Sequence, residues 1–202
     1  MDMIKAIIFD LGGVLIDFQE QDYYRYLSKK YKIDYNVIVK TFNTLIDEME
    51  LGELKLKDMI TIISQKINLK KNQIEWTSGF KKLAKRNSKM LDLVKGLKNN
   101  YKVYLLSNIS KTRYLEALKD FLNNDSHIFN KKFASCYIHL RKPDKKIYSH
   151  VLKKIKLKAN ETVFIDDKPE NIKGADSVGI NGIVFKDYKQ LVLQLRKLNI
   201  RI

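Results

Sequence analysis

The chain has 202 residues, of which 45% are hydrophobic, enough to bury the core of one substantial domain or of one domain with a smaller insert. It carries a net charge of +16 and a single cysteine, Cys136, which excludes an internal disulfide and fits a reducing compartment. No signal peptide or membrane span is expected, because Lys5 and Asp10 interrupt the apolar start and a span needs about 20 apolar residues, so the expected location is cytoplasmic with no membrane partner. Residues 4–9 (IKAIIF) read as a buried strand that ends at Asp10, and Gly12 and Gly13 then allow a tight turn. From about Gln19 to Arg86, apolar residues recur three and four apart, which predicts helices and no clear strand. Gly52 is placed to end one of those helices. After Ser88 the pattern alternates. Strands are expected at 101–106 (YKVYLL), 133–138 (FASCYI), 162–165 (TVFI) and 182–185 (GIVF), with helices between and after them.

Short apolar strands alternating with helices predict an α/β fold, a Rossmann-like parallel sheet covered by helices on both faces. The expected organisation is a core of residues 1–16 and 88–202 and a helical cap of residues 17–87 inserted after the first strand. The positive charge is weighted to the core. Residues 17–87 hold 14 basic and 10 acidic side chains, the rest 25 and 13. The densest stretch, Arg141 to Lys158, has eight basic residues against Asp144 alone. These lysines are not interleaved with stacking aromatics, and no zinc-finger, helix-turn-helix or RNA-binding signature accompanies them. A specific nucleic-acid partner is therefore not expected, whereas a basic surface steers phosphorylated small molecules inward.

Ligands of an open parallel sheet bind beyond the carboxyl ends of its strands. The residues there are Asp10, Ser107-Asn108, Lys142 and Asp166-Asp167. Taken singly, such residues are ordinary turn and capping positions. Together they match phosphoryl transfer. A carboxylate can attack phosphorus to form an acyl phosphate that water later cleaves. An ammonium and a hydroxyl neutralise and bind the phosphate. Mg²⁺ takes oxygen ligands, which Asp10, Asp166, Asp167 and a backbone carbonyl near Gly12 can supply.

Four segments resemble the motifs of the haloacid dehalogenase-like superfamily: FDLGGVL (9–15), LLSN (105–108), RKPDKKIY (141–148) and FIDDKPENIKGADSVGI (164–180). The resemblance spans the whole chain, and the D-L-G of the first motif is similar to a branch of sugar-phosphate phosphatases acting on glucose 1-phosphate. It implies a Mg²⁺-dependent phosphatase of a small phosphorylated metabolite. Asp10 would be the nucleophile. Ser107, Asn108 and Lys142 would bind phosphate, and Asp10, Asp166, Asp167 and the Gly12 carbonyl would hold the metal. Most phosphatases of this superfamily place a second Asp, the general acid and base, where this chain has Gly12. Asp17 is the next carboxylate, a candidate substitute acid, cap hinge or N-cap of the first cap helix. Tyr23, Tyr24 and the turn Glu50-Leu51-Gly52-Glu53 are candidate specificity contacts from the cap. Two alternatives carry different signatures. A binding or regulatory protein that kept the fold and lost turnover would explain Gly12. A haloacid dehalogenase resembles Ser-Ser where this chain has Asp166-Asp167, and carries Asp where it has Asn171.

Overall fold

The computed structural model describes residues 3–74 and 76–202. Its centre is a five-stranded sheet in the order β5-β4-β1-β6-β7, built from β1 (Ala6–Phe9), β4 (Lys102–Ser107), β5 (Lys131–Ala134), β6 (Thr162–Asp166) and β7 (Asn181–Val184). Every pairing is parallel. Successive side chains of a strand face opposite sides, so each strand feeds two cores. Ile7 and Phe9 pack on one face with Leu105, Val163 and Ile165, while Ala6 and Ile8 pack on the other with Leu106, Phe164 and Tyr148. Burial on both faces explains why the strands are continuous apolar runs. The α/β class and the parallel sheet agree with the sequence.

Between β1 and β4 the chain leaves the sheet through a two-stranded antiparallel ribbon, β2 (Ile16–Asp17) and β3 (Lys85–Arg86). Between the ribbon strands lie α1 (Glu20–Tyr31), α2 (Tyr35–Leu51), α3 (Leu56–Lys66) and α4 (Trp76–Leu83). These helices close on their own core, which includes Tyr23, Tyr24, Phe42, Met59 and Ile63. The ribbon departs from the expected strandless segment: two-residue strands are too short to show a period of two. It also corrects the N-cap reading of Asp17. The N-cap of α1 is Gln19, which makes no side-chain capping bond, and Asp17 pairs in register with Lys85.

After the ribbon, Asn87 caps α5 (Ser88–Leu97) through Met90 N at 3.2 Å. Beyond β4 run α6 (Lys111–Glu116) and a π-helical continuation, Ala117–Leu122. The expected strand at 133–138 is only half right. Pairing of β5 with β4 stops at Ser107↔Ala134, and Ser135–Ile138 wind into a short helix, α7, closed by left-handed His139 at φ 54°. Ser135 Oγ accepts a hydrogen bond from Ile109 N (2.9 Å) and donates to Glu50 O (2.6 Å), contacts an extended strand would not make. The remaining α-helices are α8 (Lys145–Ile155), α9 (Pro169–Asp176) and α10 (Tyr188–Lys197).

Candidate active site

β1 is the strand at which the connection direction reverses, with β4 on one side and β6 on the other. Asp10 follows β1, and its N–H extends the ladder to Ile165 O at 2.9 Å, which sets it beside Asp166. Gly13 completes the turn at φ 73°, and a Cβ there would overlap the Asp167 carboxylate, so only glycine fits.

A buried ion cluster occupies this edge. Lys142 is 1% exposed, and its Nζ lies 2.8 Å from Asp10 Oδ1 and 2.6 Å from Asp166 Oδ2, with a third contact to Leu106 O at 3.3 Å. Burial alone would push the Lys142 ammonium down, but the Asp10 and Asp166 carboxylates overcome it and hold the group well above the ordinary lysine range. Burial, with Asp166 and Asp167 adding to it, pushes Asp10 up to about 7 against the pull of Lys142. Asp166 is fully buried. Oδ1 accepts from Lys168 N (2.9 Å) and Asn171 Nδ2 (3.0 Å), and Oδ2 from Asn171 Nδ2 (3.0 Å) and Lys142. Asn108 clasps the same lysine through its backbone: Nδ2 donates to Lys142 O and Oδ1 accepts from Lys142 N, both at 2.8 Å. The Asn108 side chain thus positions Lys142, a role that sequence reasoning did not assign, while the residue still lines the cavity. Ser107, 3% exposed, lines the cavity beside it.

Asp10, Asp166 and Asp167 each bring a carboxylate oxygen to within 4.8 Å of the others. Asp167 Oδ2 accepts from Gln19 Nε2 at 3.3 Å, while its Oδ1 is buried with no hydrogen-bond partner among the described residues. A buried carboxylate oxygen left unmatched is costly unless a cation meets it. Burial, with Asp166 adding to it, raises the Asp167 pKa. The donor set is all oxygen and suits a hard divalent cation such as Mg²⁺. Asp10 and Asp167 are the freer ligands, since the Asp166 oxygens already carry donors from three residues.

The cavity above this cluster measures about 300 Å³. Its floor is the strand edge. Its roof comes from the helical segment, which contributes Phe18, Gln19, Glu20, Ile46, Glu50 and Phe80. Arg113, on α6 and only 7% exposed, sets its guanidinium carbon 5.2 Å from the ring centres of Phe18 and Phe80 and 5.3 Å from that of Tyr23. Lys168 also lines the cavity, where burial pulls its ammonium down but the carboxylates of Glu20, Glu50, Asp10 and Asp167 outweigh it and raise the pKa.

The family description "haloacid dehalogenase-like hydrolase" matches residues 4–179. The chain belongs to this family. It is 30% identical over 203 residues to a sesquiterpene phosphatase of Aspergillus oryzae, covering 96% of both chains. It is 25% identical over 187 residues to the D-ribitol-5-phosphate phosphatase of Bacteroides thetaiotaomicron, covering 88% of this chain and 89% of that one. Among solved structures, a HAD family enzyme of the same bacterium in complex with magnesium is 25% identical, with a TM-score of 0.81 over 95% of this chain and 99% of the other. Phosphatase relatives over nearly the full length make this chain a phosphoric monoester hydrolase of the haloacid dehalogenase-like family.

Within that family frame, the structure brings Asp10, Gly12, Ser107, Asn108, Lys142 and Asp167 to one cavity wall, with Asp166 directly behind Lys142. It does not bring Asp17, which is exposed and lies off the wall. Tyr23 and Tyr24 are also off it, at 1% and 5% exposure in the insert's own core. Glu50 alone of the proposed turn reaches the cavity. Sequence reasoning missed Gln19, Arg113 and Lys168, and assigned no role to Asn171. For Asn171 a signal existed: five residues after Asp166, in the first turn of α9, its amide can return to that carboxylate.

Proposed function

We propose that this hydrolase is a Mg²⁺-dependent phosphatase of a small phosphorylated metabolite, acting through an aspartyl-phosphate on Asp10, with residues 17–87 as its cap. The observation that carries this reading is the buried Asp10–Lys142–Asp166 chain beside an Asp167 oxygen with no hydrogen-bond partner among the described residues. Phosphate would enter with one oxygen near Lys142 and another near the Ser107 hydroxyl. Asp10 Oδ attacks phosphorus, the P–O bond to the leaving group breaks, and that oxygen takes a proton from water. A water then attacks the acyl phosphate, and phosphate and free Asp10 are released. Mg²⁺ held by Asp10, Asp167, Asp166 and the Gly12 carbonyl would offset the negative charge that collects there. Asn108, Asn171 and Asp166 keep Lys142 in place through both half-reactions. The cap roof excludes bulk water from the intermediate.

Sugar phosphates are the first substrates to test, given the D-L-G first motif. The decisive experiment measures phosphate release from an aryl phosphate with Mg²⁺, after chelation, and in Asp10→Asn. The expected result is turnover that chelation stops reversibly and that Asp10→Asn, nearly isosteric, lowers by about 10⁴-fold or more while the protein remains folded. Full turnover in the chelated protein, or in Asp10→Asn, rules the mechanism out.

A further inference from the structure

The roof of the cavity holds a carboxylate that the phosphoryl chemistry does not use. Glu50 sits on the last turn of α2, is 8% exposed, and lines the cavity. Its Oε2 accepts from Arg141 Nε at 3.2 Å and from Nη2 at 2.8 Å. Asp47 holds the same Nη2 at 3.0 Å. The backbone beneath is fixed as firmly. Glu50 O accepts from Ser135 Oγ at 2.6 Å, Leu51 O lies 2.8 Å from His139 Nδ1, and Gly52 closes the helix in a left-handed cap at φ 76°. The carboxylate is therefore set in one orientation, on a residue adjacent in space to the chain segment that delivers Lys142. The other oxygen, Oε1, accepts no hydrogen bond among the described residues, and it is not sealed within protein contacts.

A carboxyl oxygen preset in this cavity favours a group that donates a hydrogen bond and opposes an apolar one, which would strip its water and return nothing. Glu20, the other carboxylate of the roof, and Lys168 of the floor line the same cavity and extend this polar wall. Phe18, Ile46 and Phe80 add carbon surface to the same cavity beside these ionisable groups. From this we infer that Glu50 is the specificity-determining residue, accepting a hydrogen bond from a leaving-group hydroxyl, and that the substrate is a polyol or sugar phosphate rather than an isoprenyl phosphate. This inference rests on the phosphatase reading above and sharpens it.

The test compares kcat/KM for ribitol 5-phosphate, farnesyl phosphate and p-nitrophenyl phosphate in the wild type, Glu50→Gln and Glu53→Gln. Glu53 is exposed in the neighbouring turn and serves as control. The wild type is expected to favour the polyol phosphate over farnesyl phosphate by tenfold or more. In Glu50→Gln the ratio of polyol to aryl phosphate should fall by about tenfold or more, the effect of disturbing a hydrogen bond made in a buried site. In Glu53→Gln it should hold. An equal loss on both substrates would make Glu50 a strut for Arg141 and overturn the inference, as would a wild-type preference for farnesyl phosphate. Those results leave the phosphatase reading standing. A wild type that releases phosphate from none of the three overturns both. Should Glu50→Gln fail to fold, the wild-type preference alone decides.

Discussion

The sheet edge and the helical roof place charges against the same cavity, and they do so by different means. At the edge each functional residue is tied to a strand end or the turn after it. Asp10 continues the β1 ladder, Asp166 closes β6, and Lys142 is clasped by Asn108 just past β4. Charges buried there are matched charge against charge, as at Lys142. On the roof, Phe18, Glu20, Ile46, Glu50 and Phe80 come from the ribbon exit and three separate helices, and meet the core through side chains. Arg113 bridges the two regions with a cation stacked on the insert's rings, and Arg141 does so with an ion pair. The edge is thus an extension of backbone hydrogen bonding, while the roof is a docked surface. Chemistry that needs fixed distances belongs on the first, and selection among substrates on the second.

The largest effect should come from breaking the edge. Lys142→Met removes the cation between two buried carboxylates and leaves them unmatched. Stability should fall by about 3–5 kcal/mol. Turnover should fall by about 10²–10³-fold, since the charge on the transferring phosphate loses its nearest counterion. Urea unfolding and phosphate release check the two halves. A variant with wild-type stability would show that the ion cluster is not the structural keystone that separates edge from roof.

The same contrast explains what the sequence made visible. Asp10, Ser107, Asp166 and Asp167 were legible because a strand end fixes where a residue stands, and hydrophobic periodicity locates strand ends; Lys142 lies well past β5, beyond α7, and its motif rather than a strand end marked it. The parallel sheet and the inserted helices followed from the change of period near Ser88. The roof was not legible in this way. Tyr23 and Tyr24 recur at helical spacing, but that spacing marks a buried face as readily as a contact face, and the insert buries them in its own core. Glu50 reaches the cavity because α2 docks on Ser135, His139 and Arg141, about 90 residues further along the chain, and no local pattern encodes that pairing. Asn108 stood in the expected place, and the sequence did not show the further role of its side chain, an amide whose two ends both bond the Lys142 backbone.

A smaller effect, of opposite sign, should come from adding to the edge what it lacks. Gly12 lines the cavity, its φ lies outside the left-handed region, and a Cβ built there meets nothing within 4 Å. Gly12→Asp is therefore sterically admissible, unlike any substitution at Gly13. A general acid contributes about 10²–10⁴-fold where it is needed, and a newly placed one should recover the low end, roughly tenfold or more, on alkyl phosphates. Single-turnover rates across aryl phosphates of graded leaving-group pKa should show a steep dependence in the wild type and a shallower one in the variant. Identical slopes in a folded variant would mean that the wild type already supplies a proton to the leaving oxygen.

If another residue supplied that proton, Asp17 would be the nearest carboxylate along the chain, and its replacement should have the smallest effect of all. A group that moves a proton must come within hydrogen-bond reach of the leaving oxygen, directly or through one water. Asp17 is exposed, belongs to the ribbon opposite Lys85, and forms no part of the cavity wall. Removal of a working general acid or base costs about 10²–10⁴-fold, whereas an exposed substitution away from the chemistry changes free energies by only about 0.5 kcal/mol, or about twofold. Those ranges do not overlap, so Asp17→Asn separates them cleanly. The expected change in kcat is within about twofold, with no change in the leaving-group dependence. Asp17 does lie in one of the two strands that carry the chain between core and insert, so a second signature is informative. If cap opening limits turnover, loosening the ribbon moves kcat and KM together and leaves the single-turnover rate alone. A drop of a hundredfold in the single-turnover rate would instead mean that the ribbon delivers a proton to the cavity, and the division between a chemical edge and a selecting roof would fail at the hinge that joins them.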